Sequence, residues 1–209
     1  MANREKSRLI MCYNYQIEDP AADISGRYRY PDTPSRFTPG DQNGFTHPYV
    51  PVVTDKKPEE VQFYQWGLLP HWAKDNSFQK NTLNARIETI HEKPSFRSYT
   101  ENRCIILATG FYEWKWLDPK GKQKQKHRIW RKGAGYFAFA GLYSHWLDKS
   151  TGELIPTFTI ITREAQGIMR EIHNTKLRMP VVLLPEEEKL WLSGEIEIPS
   201  APELEAEKI

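Results

Sequence analysis

Four polar residues have the types and settings to do chemistry together: Cys12, Asn84, Glu113 and His173. A cysteine with a histidine makes a thiol nucleophile and a base to activate it. Glu113 lies in Gly110-Phe111-Tyr112-Glu113-Trp114, where strand alternation puts Phe111 and Glu113 on one face and Tyr112 and Trp114 on the other. A carboxylate sharing a face with an apolar ring loses hydration, its pKa rises, and it becomes a proton donor. The competing reading is a strand-edge acid paired with a Lys or Arg, since structural ion pairs also perturb acids. Asn84, Arg86 and Glu88 share a face if that stretch is extended, either as a solvated surface or as a site. The six histidines are scattered, and Cys12 and Cys104 lie far apart, so no metal-ligand spacing appears. Neither a phosphate-binding glycine loop nor Gly-x-Ser-x-Gly is present.

The elements that must hold these side chains follow from period and punctuation. Ile105-Ile106-Leu107 reads as a strand buried on both faces, and Gly110 behind it marks a bulge or a close backbone approach. Residues 12–17 alternate as a strand. Residues 19–47 are irregular, with one short helix around residues 20–28, and Gly44-Phe45-Thr46-His47-Pro48 ends the excursion. Residues 49–54 and 61–68 are strands around a turn at 55–58, the second ending at Pro70, which has no N–H to donate. Trp66 and Trp72 bracket this Gly-Pro corner, which reads first as packed core. A short helix covers residues 95–101. Asp118-Pro119-Lys120-Gly121 tips a hairpin over residues 115–132, where eight Lys or Arg face one acid. Such a hairpin is usually just solvated, yet its sign suits phosphate. Residues 135–142 and 157–161 are strands with a turn at 150–152. Thr162 caps a helix in which Ala165, Ile168, Met169 and Ile172 repeat at helical spacing and His173 ends the pattern. Residues 178–184 form a last strand, and a helix opens at Pro185 with acids in its first turn and Gly194 after its end.

The bulk properties fit one domain of 209 residues. No apolar run is long enough to span a membrane, and the charged first ten residues are not a secretory signal. Two cysteines make no disulfide framework, which points to a reducing cytoplasm. A net charge of +2 gives no sign of nucleic-acid binding by the whole surface, although seven Trp and ten Tyr can stack on unpaired bases as well as fill a core.

Taken in order, Met11-Cys12, Trp66-Gly67-Leu68-Leu69-Pro70-x-Trp72-Ala73, Asn84-Ala85-Arg86-x-Glu88-Thr89, Gly110-Phe111-Tyr112-Glu113-Trp114, and His173 followed by Arg178-Met179-Pro180 resemble the SOS-response-associated peptidase family. The likeness covers residues 11 to about 193. It implies a single α+β domain, a twisted, mostly antiparallel sheet curling into a barrel-like core with a few short helices. That domain would span residues 11–198, with residues 1–10 a removed or non-native extension and 199–209 a frayed acidic tail. It also implies a monomeric DNA-damage-response protein, cytoplasmic and nucleoid-associated when bound, that needs no cofactor or membrane and attaches covalently to abasic sites in single-stranded DNA. The family also points to a self-processing peptidase activity.

By that resemblance Cys12, as N-terminal residue, offers an amine and a thiol to the ring-opened sugar aldehyde. The amine gives a Schiff base, and the thiol closes a thiazolidine ring. Glu113 would shuttle protons, His173 would assist at the sugar oxygen, and Asn84 would hold the amine and the sugar. Arg86 and Arg178 would clamp phosphates, Trp66 and Trp72 would stack on neighbouring bases, and Pro48 belongs to the DNA contact stretch. Rival readings are a cysteine peptidase acting on other proteins, for which no oxyanion hole can be read from the sequence, and a non-covalent single-strand binder using the tryptophans and the basic hairpin. The thiazolidine needs a free amine on Cys12, so translation starts at Met11, the simpler route, or the chain is cut after it. Three departures from the family pattern stand out. Tyr13-Asn14-Tyr15 replaces Gly-Arg-Phe, residues 44–48 match Asn-x-x-Pro only loosely, and four residues, Asn174 to Leu177, replace the usual one between His and Arg-Met-Pro.

Asn14 cannot supply the charge its counterpart arginine carries in relatives. Asn14→Arg should therefore tighten binding to unmodified single-stranded DNA and steepen its salt dependence by about 0.7 log units per log unit. An unchanged slope and affinity would mean that this position never meets phosphate.

Overall fold

The computed structural model describes residues 13–18 and 26–209. Met11, Cys12, the first ten residues and most of the helix expected at 20–28 lie outside the described residues.

Thirteen strands and two short α-helices are described. In chain order the strands are β1 (Asn14–Ile17), β2 (Gly40–Asn43), β3 (Tyr49–Thr54), β4 (Lys57–Trp66), β5 (Asn84–Arg86), β6 (Arg103–Ala108), β7 (Gly110–Trp116), β8 (Lys124–Arg131), β9 (Phe137–Leu147), β10 (Leu154–Glu164), β11 (Arg178–Pro180), β12 (Val182–Leu183) and β13 (Leu204–Lys208). The helices are α1 (Met169–Ile172) and α2 (Pro185–Ser193). Turns at 55–56 and 150–152 make β3–β4 and β9–β10 antiparallel hairpins, as their turn residues dictate.

Five strands close on themselves. β4 pairs with β3, β3 with β6, β6 with β9 and β9 with β10, and β10 returns in parallel to β4. Closure leaves this core without an open edge. A second sheet runs β13-β8-β7-β1-β2. The fold is therefore the α+β single domain with a barrel-like, mostly antiparallel sheet that the sequence predicts.

The stretch Arg103–Trp116 serves both sheets. β6 belongs to the barrel and β7 to the second sheet, and the chain crosses between them at Thr109-Gly110. Thr109 donates its N–H to the Gln16 carbonyl at 2.7 Å. A Cβ at Gly110 would meet the Arg128 guanidine and the Ile129 carbonyl at 3.3–3.4 Å, so the glycine permits a close backbone approach. One continuous core joins Val52, Ile106 and Phe158 to Tyr15, Phe111 and Ile129. Phe139 meets both Tyr15 and Phe111 edge-on, at 5.7 and 5.8 Å.

Several local expectations give way to tertiary contacts. β4 ends at Trp66, before Pro70, because Gly67 at φ +113 turns the chain out of the ladder. The helix expected after Thr162 shrinks to α1, since β10 runs to Glu164 between β5 and β11. The Thr162 hydroxyl donates to the Ala85 carbonyl rather than capping a helix. Ser95 to Glu101 yields a single 3-10 turn, Arg97–Tyr99. The expected frayed tail contains β13, whose residues pair with β8 from Leu204 opposite Arg131 to Lys208 opposite His127. No helix among the described residues is long and apolar enough to cross a membrane.

Barrel closure leaves no room at Gly141 of β9. A Cβ there would strike the Ile106 side chain and lie 2.7 Å from the Thr159 carbonyl. Gly141→Ala should destabilise the fold by about 2–3 kcal/mol through overpacking, lowering the melting temperature by roughly 5–10 °C. A urea or thermal midpoint matching the parent would show that β6 and β10 part freely.

Candidate active site

β7 turns Phe111 and Glu113 into the molecule, as its alternation requires. Glu113 is 1% exposed, Phe111 is equally buried, and Trp114 on the other face is half-buried. Tyr15 of β1 stands opposite Phe111. Because β1 runs antiparallel to β7, its N-terminal end lies at the Glu113 end of β7. Tyr13, the last described residue on that side, accepts a hydrogen bond at its carbonyl from the Gly44 N–H. Cys12 precedes it, outside the described residues.

His173 closes α1 and is also 1% exposed. Its Nε2 lies 4.0 Å from Glu113 Oε2, too far for a direct hydrogen bond but close enough for strong electrostatic coupling in a dry setting. Its Nδ1 lies 2.7 Å from the Arg178 carbonyl. A carbonyl only accepts, so Nδ1 carries the proton and Nε2 is the nitrogen turned to Glu113.

Arg178 is itself fixed. Its two terminal nitrogens donate to the two Glu88 oxygens at 2.7 and 2.8 Å, and one also donates to the Thr162 carbonyl at 2.8 Å. This fork spans β10, with Glu88 following β5 on one side and Arg178 opening β11 on the other. Burial pushes the Glu88 carboxyl up, but the Arg178 hydrogen bonds and charge more than offset it and hold the group below its ordinary value. The four-residue insertion has a structural reason. Leu177 at φ +51 turns the chain, its N–H donates to the His173 carbonyl, and Arg178 returns to meet the imidazole. Within the insertion, the Asn174 side chain accepts from the Trp116 N–H and donates to the Trp116 carbonyl, filling the edge of β7.

Glu113 and His173 thus meet in space. Asn84 is buried on β5 opposite Ile160 of β10, the same strand that Arg178 grips. Arg86 is exposed and lines an open cleft of about 390 Å³ with Glu88, Glu164, Lys176 and Arg178. Pro48 is half-buried, and its carbonyl accepts from the Trp66 N–H.

Two expected DNA contacts need correction. Trp66 is 0% exposed, donates its indole N–H to the Leu83 carbonyl, and lies nearly parallel to Phe158, so it is core and offers no face to a base. Arg178 is 7% exposed with its fork spent on Glu88, so it acts as a brace for His173 rather than as a free phosphate clamp. Trp72, 45% exposed and edge-on to Phe78, keeps an open face.

Sequence reasoning missed Glu88 as Arg178's partner, Asn174 as the edge-filling residue, and His127. The last stands opposite Glu113 in the β7–β8 ladder. Burial holds the His127 imidazole below its ordinary range, with Lys115 and Lys208 adding to the effect against the opposing pull of the Gln125 carbonyl. The signals for Glu88 were its period-two placement with Asn84 and Arg86 and its place in the Asn84-Ala85-Arg86-x-Glu88-Thr89 motif.

The profile of a family described as SOS response associated peptidase matches residues 11–206. A Bacillus subtilis protein named abasic site processing protein YoqW is 46% identical over 143 residues, covering 68% of this chain and 61% of the relative. The Gallus gallus abasic site processing protein HMCES is 29% identical over 183 residues, covering 76% of this chain and 52% of the relative. The matched part thus spans about three fifths of the first of these relatives and half of the second. A crystal structure of a Bacteroides thetaiotaomicron protein superposes with a TM-score of 0.82 at 33% identity over 95% of this chain and 92% of that one.

Glu88 contributes stability only while ionised and paired. Its folded pKa lies below the unfolded one, so that contribution is complete above the unfolded value, near pH 4.3, and is lost as pH falls through the folded value. The stability gap between parent and Glu88→Gln, measured by denaturant titration, should be open at pH 7 and narrow as the pH falls below about 4. A gap constant with pH would mean that the fork carries no charge-dependent stability.

Proposed function

Since the chain belongs to the SOS response associated peptidase family, we propose that it captures abasic sites in single-stranded DNA through Cys12. The observation that carries this reading is the buried Glu113–His173 pair at 4.0 Å, with Glu113 at the middle of β7 on the side toward which the N-terminal end of β1 runs.

The chemistry follows from the groups. The Cys12 amine condenses with the sugar C1 aldehyde and releases water. The thiol then adds across the imine carbon, and its proton passes to the imine nitrogen, giving a five-membered thiazolidine. Condensation needs a proton delivered to the departing oxygen and one removed from nitrogen. Glu113, shielded from bulk water, suits that shuttle. His173 Nε2, with Nδ1–H fixed by the Arg178 carbonyl, faces Glu113 and serves the sugar oxygen in the imidazolium form. In that form both ring nitrogens carry a proton, and Nε2 gives its own to the sugar oxygen for ring opening. Asn84 supplies hydrogen bonds to the amine and sugar. Arg86, exposed at the lip of the cleft, and Trp72 with its open ring meet the flanking phosphate and base. An unpaired strand suits a site this enclosed, since no base pair need open before the sugar enters. The same thiol and proton shuttle suit self-cleavage after Met11, which would expose the amine.

With Cys12 N-terminal, the protein should form an adduct with abasic single-stranded DNA that survives a denaturing gel. Cys12→Ala should abolish it, and Glu113→Gln should slow it by about 10²–10⁴-fold, the worth of a positioned acid–base group. Crosslinking by Cys12→Ala at the parental rate would overturn the mechanism.

A further inference from the structure

The β7–β8 ribbon has a second face. Where Phe111 and Glu113 point inward, Tyr112, Trp114 and Trp116 point outward. Directly across on β8 stand Arg128, Lys126 and Lys124. The rungs touch: the Lys126 amine lies 4.0 Å from the Tyr112 ring centre and 5.9 Å from that of Trp114, and the Lys124 amine lies 5.0 Å from Trp116. Trp114, Trp116 and Lys126 are half-buried, and Lys124 is exposed. The ion pairs of this sheet join Arg128 to Glu207 and Lys132 to Glu203, and among the described residues neither Lys124 nor Lys126 pairs with an acid.

We propose that this outer face is a second track for single-stranded DNA, beyond the pocket. The proposal rests on reading the pocket as one for single-stranded DNA. Two of the rungs, Trp114 with Lys126 and Trp116 with Lys124, offer a partly exposed aromatic plane and a cation that pairs with no acid among the described residues. These are the two complements of a nucleotide's base and phosphate. The third rung, a buried Tyr112 with an ion-paired Arg128, closes the row. A lysine resting on a partly exposed ring such as Trp114 or Trp116 is held weakly, while a base stacked there is held more firmly. The strand therefore draws each ammonium off its ring to a phosphate and stacks a base in its place. Same-face rungs lie about 7 Å apart along a strand, a step that an extended single strand follows one nucleotide per rung. Trp114 follows Glu113 directly, so the track lies on the opposite face of the same strand that carries the pocket's acid. Asn174, next to His173, fixes the ribbon through both backbone groups of Trp116. Two-sided use of one ribbon lets the protein hold the flanking strand while the inner face holds the sugar.

The test compares the parent with Lys124→Glu plus Lys126→Glu, using oligothymidylate long enough to reach the ribbon and a short abasic oligonucleotide that fills only the pocket. Affinity for the long strand, read by anisotropy, should fall about tenfold or more, and its salt slope should flatten by about 1.4, two contacts at ~0.7 each. Adduct yield on the short abasic strand should stay at the parental level. Lys124→Arg plus Lys126→Arg should keep the slope. Should the charge reversal shift the thermal midpoint, Lys124→Ala plus Lys126→Ala gives the same reading. Unchanged affinity and slope for the long strand would overturn the track. An adduct with parental long-strand binding in the variant sinks the track and leaves the pocket reading standing. Loss of long-strand binding in the variant when even the parent forms no adduct does the reverse.

Discussion

A carboxylate and an imidazole, each 1% exposed and 4.0 Å apart, are the constraint the architecture answers to. Taking one ionisable group out of water costs several kcal/mol unless a partner offsets it, and here two are taken out together. Neither strand nor helix alone can hold them. Glu113 comes from the inner face of β7, and His173 comes from the end of α1, a single turn too short to be stable without tertiary contacts. Their separation is set by what lies behind each of them.

Behind His173 is a chain of hydrogen bonds that ends at the molecular surface. The imidazole donates to the Arg178 carbonyl, and the Arg178 guanidinium is forked onto Glu88 and tied to the Thr162 carbonyl. The arginine that looks like a phosphate ligand in the sequence is thus a structural member. Its planar fork is what lets one side chain span β10 from β11 to the segment after β5. Insertion of Asn174 to Leu177 does not disturb this geometry, because the left-handed turn at Leu177 absorbs the added length. Behind Glu113 is the crossover at Thr109-Gly110, which carries one strand out of the barrel and into the second sheet. Gly110 lets the Arg128 side chain and Ile129 backbone approach, so β7 leaves the barrel wall with Phe111 and Glu113 already facing the shared core.

Period two then gives β7 two characters. Its inner residues are the apolar Phe111 and the acidic Glu113, and its outer residues are aromatic and interleaved with lysines from β8. A one-residue slip would exchange the faces and put Tyr112 and Trp114 where Glu113 must be. Register is held by the Tyr15–Phe111 pairing with β1, by six paired positions with β8, and by Asn174 at the open edge.

The sequence by itself determined what local physics controls. Alternation gave the faces of β7. Turn chemistry gave the hairpin tipped at residues 118–121, and proline, acids and glycine gave the ends of α2. The motifs pointed to the family and named Glu113 and His173, which the fold then brought together from sixty positions apart in the chain. What only the tertiary structure decided concerns residues whose role depends on a distant partner. Trp66 and Trp72 sit in one motif, yet one is sealed against Phe158 and Leu83 while the other faces solvent. Arg86 and Arg178 carry the same charge, yet Arg178 meets a carboxylate ninety positions away while, among the described residues, Arg86 pairs with no acid. Thr162 has the look of a helix cap and became part of β10, because strands on both sides supplied more hydrogen bonds than one turn of helix could. The acidic tail became β13 because the exposed edge of β8 offered it a partner. Sequence fixes which face a side chain takes on its own element, but which neighbour that face meets depends on long-range pairing.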